Sequence, residues 1–258
     1  MFCAKLTEGI LMKKLVESIK DLFLEINFDI SASGIAIQGM DNSHISLVQI
    51  NITSNDFTEY RCDKNMKLGI KMENFAKIIK CGTNEDTLTL SYDDNDKNKL
   101  NIKFENILSK KTVNFELALI SIETENISIP VLNYTSSILM SSSYFSKICK
   151  ELNSIDETIS IQIKKDKINF YTNNENISGG FSDNQNDSTD PEIHCKIETD
   201  CDINLPFSSR ILNIVSKAGS ISKQVYLYLG SKNPLLIRYK FGQLGEIKFY
   251  LAERNEIE

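Results

Sequence analysis

The chain has 258 residues, which is room for one large domain or for two of about 130 residues each. Its 29 basic and 35 acidic side chains give a net charge of −6 and a pI near 5.2, a balance that, taken whole, argues against nucleic-acid contact. A hydrophobic content of 41% is enough for a sizeable core and excludes bulk disorder, and no apolar run approaches the roughly 18–20 residues that span a bilayer.

The opening stretch MFCAKLTEGILMKKL has no basic region ahead of an apolar run, so no secretory leader is expected. Cys3, Cys62, Cys81, Cys149, Cys195 and Cys201 form no C-x-x-C pair, and His44 and His194 lie far apart. That spacing gives no zinc site and reads as free thiols in a reducing compartment. Five N-x-S/T triplets, at Asn51, Asn126, Asn133, Asn176 and Asn186, read as chance in an Asn- and Ser-rich chain.

In chain order, a short strand with Phe2, Ala4 and Leu6 inward precedes a helix near residues 9–23. That helix sets Leu11, Leu15, Ile19 and Leu22 at helical spacing. Leu24, Ile26, Phe28 and Ile30 then alternate with polar residues, the period of a half-buried antiparallel strand. A second helix is predicted near 72–81 on Phe75, Ile78 and Ile79, and Val113, Phe115, Leu117 and Leu119 alternate again in a later strand. Residues 121–134 carry Pro130 and no helical period, and read as an extended linker.

Beyond the linker the order repeats. A third helix is predicted near 142–153 on Phe145, Ile148, Cys149 and Leu152, and Ile159, Ile161 and Ile163 follow in alternation. The polar tract 173–190 reads as an exposed loop or ragged edge strand. A fourth helix near 207–218 carries Ile211, Leu212 and Val215, and Ile247, Phe249 and Leu251 alternate in the last strand. Lys80-Cys81-Gly82 and Lys217-Ala218-Gly219 each end a helix ahead of a hairpin, 137 residues apart. The expectation is an α+β fold made of two copies of one unit, residues 1–120 and 135–258, joined by the 121–134 linker.

Charge is not spread evenly over these elements. The four helices carry Lys13, Lys14, Lys20, Lys77, Lys80, Lys147, Lys150, Arg210 and Lys217 against Glu17, Asp21, Glu73 and Glu151. Nine cations against four acids is a net of +5, which leaves −11 for the rest of the chain. At 100° per residue these cations mostly point away from the apolar stripes, so the helices present a basic outer face. Eight of the nine are Lys, suited to point-charge phosphate contact without base reading. No aromatic platform is interleaved with them and the chain has no Trp, which favours duplex over single strand.

No G-x-G-x-x-G, P-loop, H-E-x-x-H or G-x-S-x-G occurs, and the Asp93-Asp94 pair sits in a polar turn. No catalytic residue, cofactor or metal ligand is therefore expected, and a DNA-processing enzyme finds no site.

Several stretches carry a family resemblance: Asp29-Ile30-Ser31-Ala32-Ser33-Gly34, Met40 through Gln49, Tyr60-Arg61-Cys62-Asp63, Lys77 through Asp86, and Pro234 through Ala252. Through them the chain resembles the proliferating cell nuclear antigen family of eukaryotic sliding clamps along essentially its full length. The resemblance implies a DNA-clamp fold whose two duplicated domains pack antiparallel sheets on two helices each. It also implies a closed ring of three subunits, the helices lining a central hole. A ring needs head-to-tail contacts, and by resemblance these pair an edge strand at residues 111–119 with one near 175–183 of the next copy.

The implied function is a nuclear, non-enzymatic processivity factor that encircles duplex DNA and tethers a DNA polymerase and other replication and repair proteins. The nine helix cations would be its DNA-facing set. Further implied partners are a clamp loader and proteins carrying a clamp-binding peptide, with no membrane among them. The peptide would be held by Met40, His44, Ile45, Leu47, Ile127, Ile129, Pro130, Pro234, Tyr250 and Ala252. Glu253 stands where the family usually has Pro, and Lys165 matches the family's regulatory modification lysine, with Lys164 as its neighbour. The alternative is a subunit of a heterotrimeric checkpoint-type clamp.

Overall fold

A computed structural model of the chain describes residues 1–96, 98–123, 127–242 and 245–254. The Asn126 triplet and positions 124–126 of the expected linker lie outside the described residues. The chain divides into two compact units. The first comprises Met1–Asn42, Val48–Ile127 and Phe241–Ile247, and the second Ser43–Leu47, Ser128–Lys240 and Lys248–Glu258.

The elements of the first half run β1 (Phe2–Leu6), α1 (Ile10–Ile19), β2 (Glu25–Ser31), β3 (Gly34–Met40), β4 (Ser46–Thr53), β5 (Glu59–Cys62), β6 (Met66–Lys71), α2 (Met72–Ile79), β7 (Thr87–Tyr92), β8 (Lys99–Asn106) and β9 (Lys111–Ala118). Two antiparallel runs result, β5-β1-β7-β8-β9 and β6-β2-β3-β4. The second half repeats the order as β10 (Ser136–Ser141), α3 (Ser142–Asn153), β11 (Thr158–Lys164), β12 (Lys167–Asn173), β13 (Ser178–Asn184), β14 (Cys195–Thr199), β15 (Ile203–Ser208), α4 (Ser209–Ser216), β16 (Gln224–Leu229), β17 (Leu235–Phe241) and β18 (Gly245–Leu251). Its runs are β14-β10-β16-β17-β18 and β13-β12-β11-β15. The two sets of strand neighbours correspond element for element, as a duplicated α+β unit requires.

In each unit the two helices pack together over a sheet. Phe75 of α2 meets Phe28 of β2 edge to face at 5.5 Å, and Phe145 of α3 meets Phe170 of β12 at 5.9 Å. All four rings are buried. Each such side chain contributes about 1.5–3 kcal/mol by leaving water, so packing rather than helix propensity holds these short helices in place. Ser141 caps α3, its hydroxyl accepting from Tyr144 N at 3.3 Å.

The structure departs from the sequence reading at several places: α2 ends at Ile79 rather than near 81, and α4 covers Ser209–Ser216 rather than 207–218, with Phe207 and Ser208 closing β15. Helix α1 is shorter than 9–23 and buries Met12, Leu15, Val16 and Ile19, leaving Leu11 half-buried. Leu24 lies ahead of β2 and is 74% exposed, and its carbonyl accepts from Met72 N at the start of α2. Strand β9 buries Leu117 but leaves Val113 exposed, in keeping with its place as the last strand of its run.

Candidate DNA-facing helices and partner pocket

The nine predicted cations all lie on or directly after the four helices. Lys77, Lys80, Lys147, Lys150, Arg210 and Lys217 are exposed, and Lys13, Lys14 and Lys20 are half-buried. Within the first unit acids engage three of them. Glu17 on α1 holds Lys20 at 2.7 Å and reaches across to Lys80 beyond α2 at 3.6 Å, and Glu73 holds Lys77 at 2.5 Å. Lys13 Nζ donates to the carbonyl of Gly82 at 3.2 Å, tying α1 to the loop after α2. Burial pushes the Glu17 carboxyl up, but hydrogen bonds and charge from Lys20 and Lys80 outweigh it and hold the group below its ordinary value. The Lys20 ammonium is raised, chiefly by its hydrogen bond to Glu17.

The second unit differs. Lys147, Lys150 and Arg210 make no ion pair among the described residues, nor does Lys14 of the first unit. The helix faces of the two units therefore carry similar cations, but those of the first are partly neutralised.

Most of the predicted pocket residues fall in the second unit. His44 adopts a left-handed backbone at φ 56° and is exposed, and Ile45 beside it accepts from Ala252 N at 3.0 Å. Leu47 is nearly buried in β4, Tyr250 is half-buried on β18, and Pro234 leads into β17. Ile129 is half-buried and Pro130 exposed in extended chain. The tail past Ala252 is tied down by Arg254, whose N–H donates to Pro206 O at 2.9 Å and whose Nη1 donates to Glu157 O at 2.7 Å. In the first unit, Met40 ends β3, and Gln38 on the same face of that strand donates to the carbonyl of Ile127 at 2.8 Å. The linker leaves the first unit over Gly69. Ile120 N donates to Gly69 O at 2.9 Å, and Ile120 O lies so close that any Cβ at 69 would overlap it.

Two residues were not assigned to the site from sequence: Glu17, counted only among the helix acids, and Tyr134. Glu17 could have been found as the acid three residues ahead of Lys20 on the same helix. Tyr134 had only its position at the end of the linker to mark it. Its ring meets Tyr228 at 5.8 Å, and its hydroxyl is buried without a hydrogen-bond partner among the described residues. Burial, with a contribution from Tyr250, raises that phenol well above its ordinary value.

Two edge strands complete the inventory. β9 ends the run β5-β1-β7-β8-β9, and β13 ends β13-β12-β11-β15. Lys165 lies in the exposed turn joining β11 to β12, with Lys164 also exposed. Among the described residues no group of three or more His, Cys, Asp or Glu could hold a metal ion.

Comparison with known families agrees with the division of the chain. The N-terminal domain of proliferating cell nuclear antigen matches residues 1–127, and the C-terminal domain of the same family matches residues 128–254. With both domains matched end to end, and with the duplicated α+β units described above, the chain belongs to the proliferating cell nuclear antigen family of DNA sliding clamps.

Proposed function

We propose that the protein is the subunit of a homotrimeric, nuclear processivity clamp that encircles duplex DNA without reading its sequence. The observation that carries this reading is the pair of helices on each unit whose outward side chains are basic in a chain of net charge −6. Lys13, Lys14, Lys20, Lys77, Lys80, Lys147, Lys150, Arg210 and Lys217 are the phosphate contacts. Lysine contacts are individually weak and exchange quickly, so an enclosed duplex slides while topology supplies residence.

The ring closes head to tail, β9 of one copy extending the run that ends at β13 of the next. Support comes from the exposed apolar Val113 on β9 and from the side-chain-free Gly179 on β13, where a neighbouring backbone has room to approach. Partner proteins, a DNA polymerase among them, dock through a short peptide whose apolar residues enter a surface of the second unit carrying His44, Ile45, Leu47, Ile129, Pro130, Pro234, Tyr250 and Ala252. A clamp loader opens the ring. Lys165 is the modification site, exposed in a hairpin turn where an enzyme reaches it.

Size-exclusion chromatography with light scattering tests the assembly. Three chains of 29.3 kDa give a mass near 88 kDa. A monomer that persists at high concentration rejects the homotrimer and leaves the checkpoint-type subunit, which trimerises only with other chains.

A further inference from the structure

The outward face of the sheet run that contains β16 and β17 carries a feature the pocket does not account for. Along β16, Val225, Leu227 and Leu229 are buried toward the core, so Tyr226 and Tyr228 point the other way. Their rings lie parallel, with centroids 6.4 Å apart and an interplanar angle of 8°. Tyr228 in turn meets Tyr134 at 5.8 Å, and Lys240 Nζ stands 5.0 Å from the centre of the Tyr226 ring. Arg238 faces Tyr226 across the β16–β17 register. These residues all belong to the second unit. Three tyrosines and two cations thus form one strip that begins at Tyr134, the neighbour of the pocket residue Tyr250.

The strip has the marks of a surface awaiting a ligand. The Tyr134 hydroxyl, buried without a hydrogen-bond partner among the described residues, is closed to an incoming chain, which meets instead the half-buried Tyr226 and Tyr228 and the exposed Lys240. The exposed Lys240 favours an anionic occupant. The Tyr226 and Tyr228 rings lie parallel and Lys240 already stands over the Tyr226 ring, so a ring face is taken. That suits hydrogen bonding to carboxylates and main chain better than the stacking of bases.

We infer that this tyrosine–lysine strip is a second subsite that receives an acidic segment flanking the apolar anchor of a partner peptide. The two ring-to-ring steps, 5.8 and 6.4 Å, correspond to about four residues of extended chain. The inference rests on the pocket reading under the proposed function, and its test separates the two.

Synthetic peptides sharing one apolar anchor are titrated into the full-length protein by fluorescence anisotropy at low salt. One has serine flanks, and two others carry four Asp/Glu residues on one or the other side of the anchor. One acidic peptide is expected to bind about fivefold tighter than the serine peptide. The gain disappears in Tyr226→Ser/Tyr228→Ser and in Lys240→Glu, while the serine peptide binds every protein equally. No gain, or a gain that survives both variants, overturns the subsite and leaves the pocket standing. Failure of all the peptides to bind rejects the pocket and the subsite with it. Displacement of the acidic flank by a twelve-nucleotide single strand, with the anchor still bound, overturns the choice of a peptide as occupant. Unchanged oligomer mass and circular dichroism establish that the variants are folded.

Discussion

The uneven pairing of the helix cations makes a quantitative prediction about DNA contact. Before Lys20 or Lys80 reaches a phosphate it must leave or share Glu17, and Lys77 must do the same with Glu73. Lys147 and Lys150 on α3 have no such partner among the described residues. An exposed pair is worth about 0.5 kcal/mol, close to a factor of two in affinity per lysine. Neutralising Lys147 and Lys150 to Gln should therefore weaken binding to a short duplex about two- to fourfold more than neutralising Lys20 and Lys80. Each lost phosphate contact should also lower the slope of log K against log salt by about 0.9. Glu17→Gln is the complement. It removes the acid held by two lysines and should raise duplex affinity about twofold, at a small cost in stability. Anisotropy of a labelled duplex across a salt series, with trimer mass checked for each variant, reads both quantities. Equal losses from the two lysine pairs, with no gain from Glu17→Gln, would refute the pairing argument even if all four lysines contribute.

Gly179 and Gly180 sit side by side on β13, yet alanine should affect them differently. A Cβ at 180 overlaps Phe170 O, so Gly180→Ala should lower the urea midpoint, while Gly179→Ala has open space and should leave it unchanged in the isolated chain. Asp86 accepts from Thr83 N at 2.7 Å and from Asn106 Nδ2 at 3.1 Å, and the first of these bonds is the main cause that depresses its pKa. A depressed carboxylate stabilises the fold above its unfolded value of about 3.9 and loses that contribution as pH falls through the folded value. Urea midpoints of the parent should thus drop below about pH 4, and Asp86→Asn should be less stable at pH 7 and flatter in that acid window. Phe145→Ala, which empties a fully buried site between α3 and β12, should cost about 3–5 kcal/mol by the same assay.

What the sequence revealed follows from which forces are local. Helix α3 occupies the predicted 142–153 because its cap at Ser141 and its stripe of Phe145, Ile148, Cys149 and Leu152 agree. For α1, two apolar stripes share Leu15 and Ile19, and one starts at Leu11 while the other starts at Met12. Only the sheet beneath decides between them. Alternation in β9 marked a strand but not its place at the end of a run, which depends on β8 pairing with it and nothing following. The same split applies to the site. That the helices carry cations is legible at once, and Glu17 lies within helical reach of Lys20. That Glu17 also reaches Lys80, 63 residues away, needs the packing of α1 against α2. Tyr134 and Tyr228 are 94 positions apart, and only the fold makes them neighbours.

Net charge is a poor guide to what a protein of this shape of sequence touches, because field falls off within about 10 Å at ordinary salt. A duplex beside the helices senses the cations there and little of the −11 carried elsewhere. The same reasoning applies on the outward side of the second unit, where Arg238 and Lys240 make a local basic strip inside that acidic remainder. Two basic surfaces then differ in what surrounds the charge. On the helices Lys14, Lys147 and Lys150 make no ion pair among the described residues, which suits a mobile phosphate backbone. Beside β16 lysine stands against tyrosine rings, and that restricts both the position and the shape of the anion it can accept. A chain with an overall negative charge thus keeps its cations in two different settings.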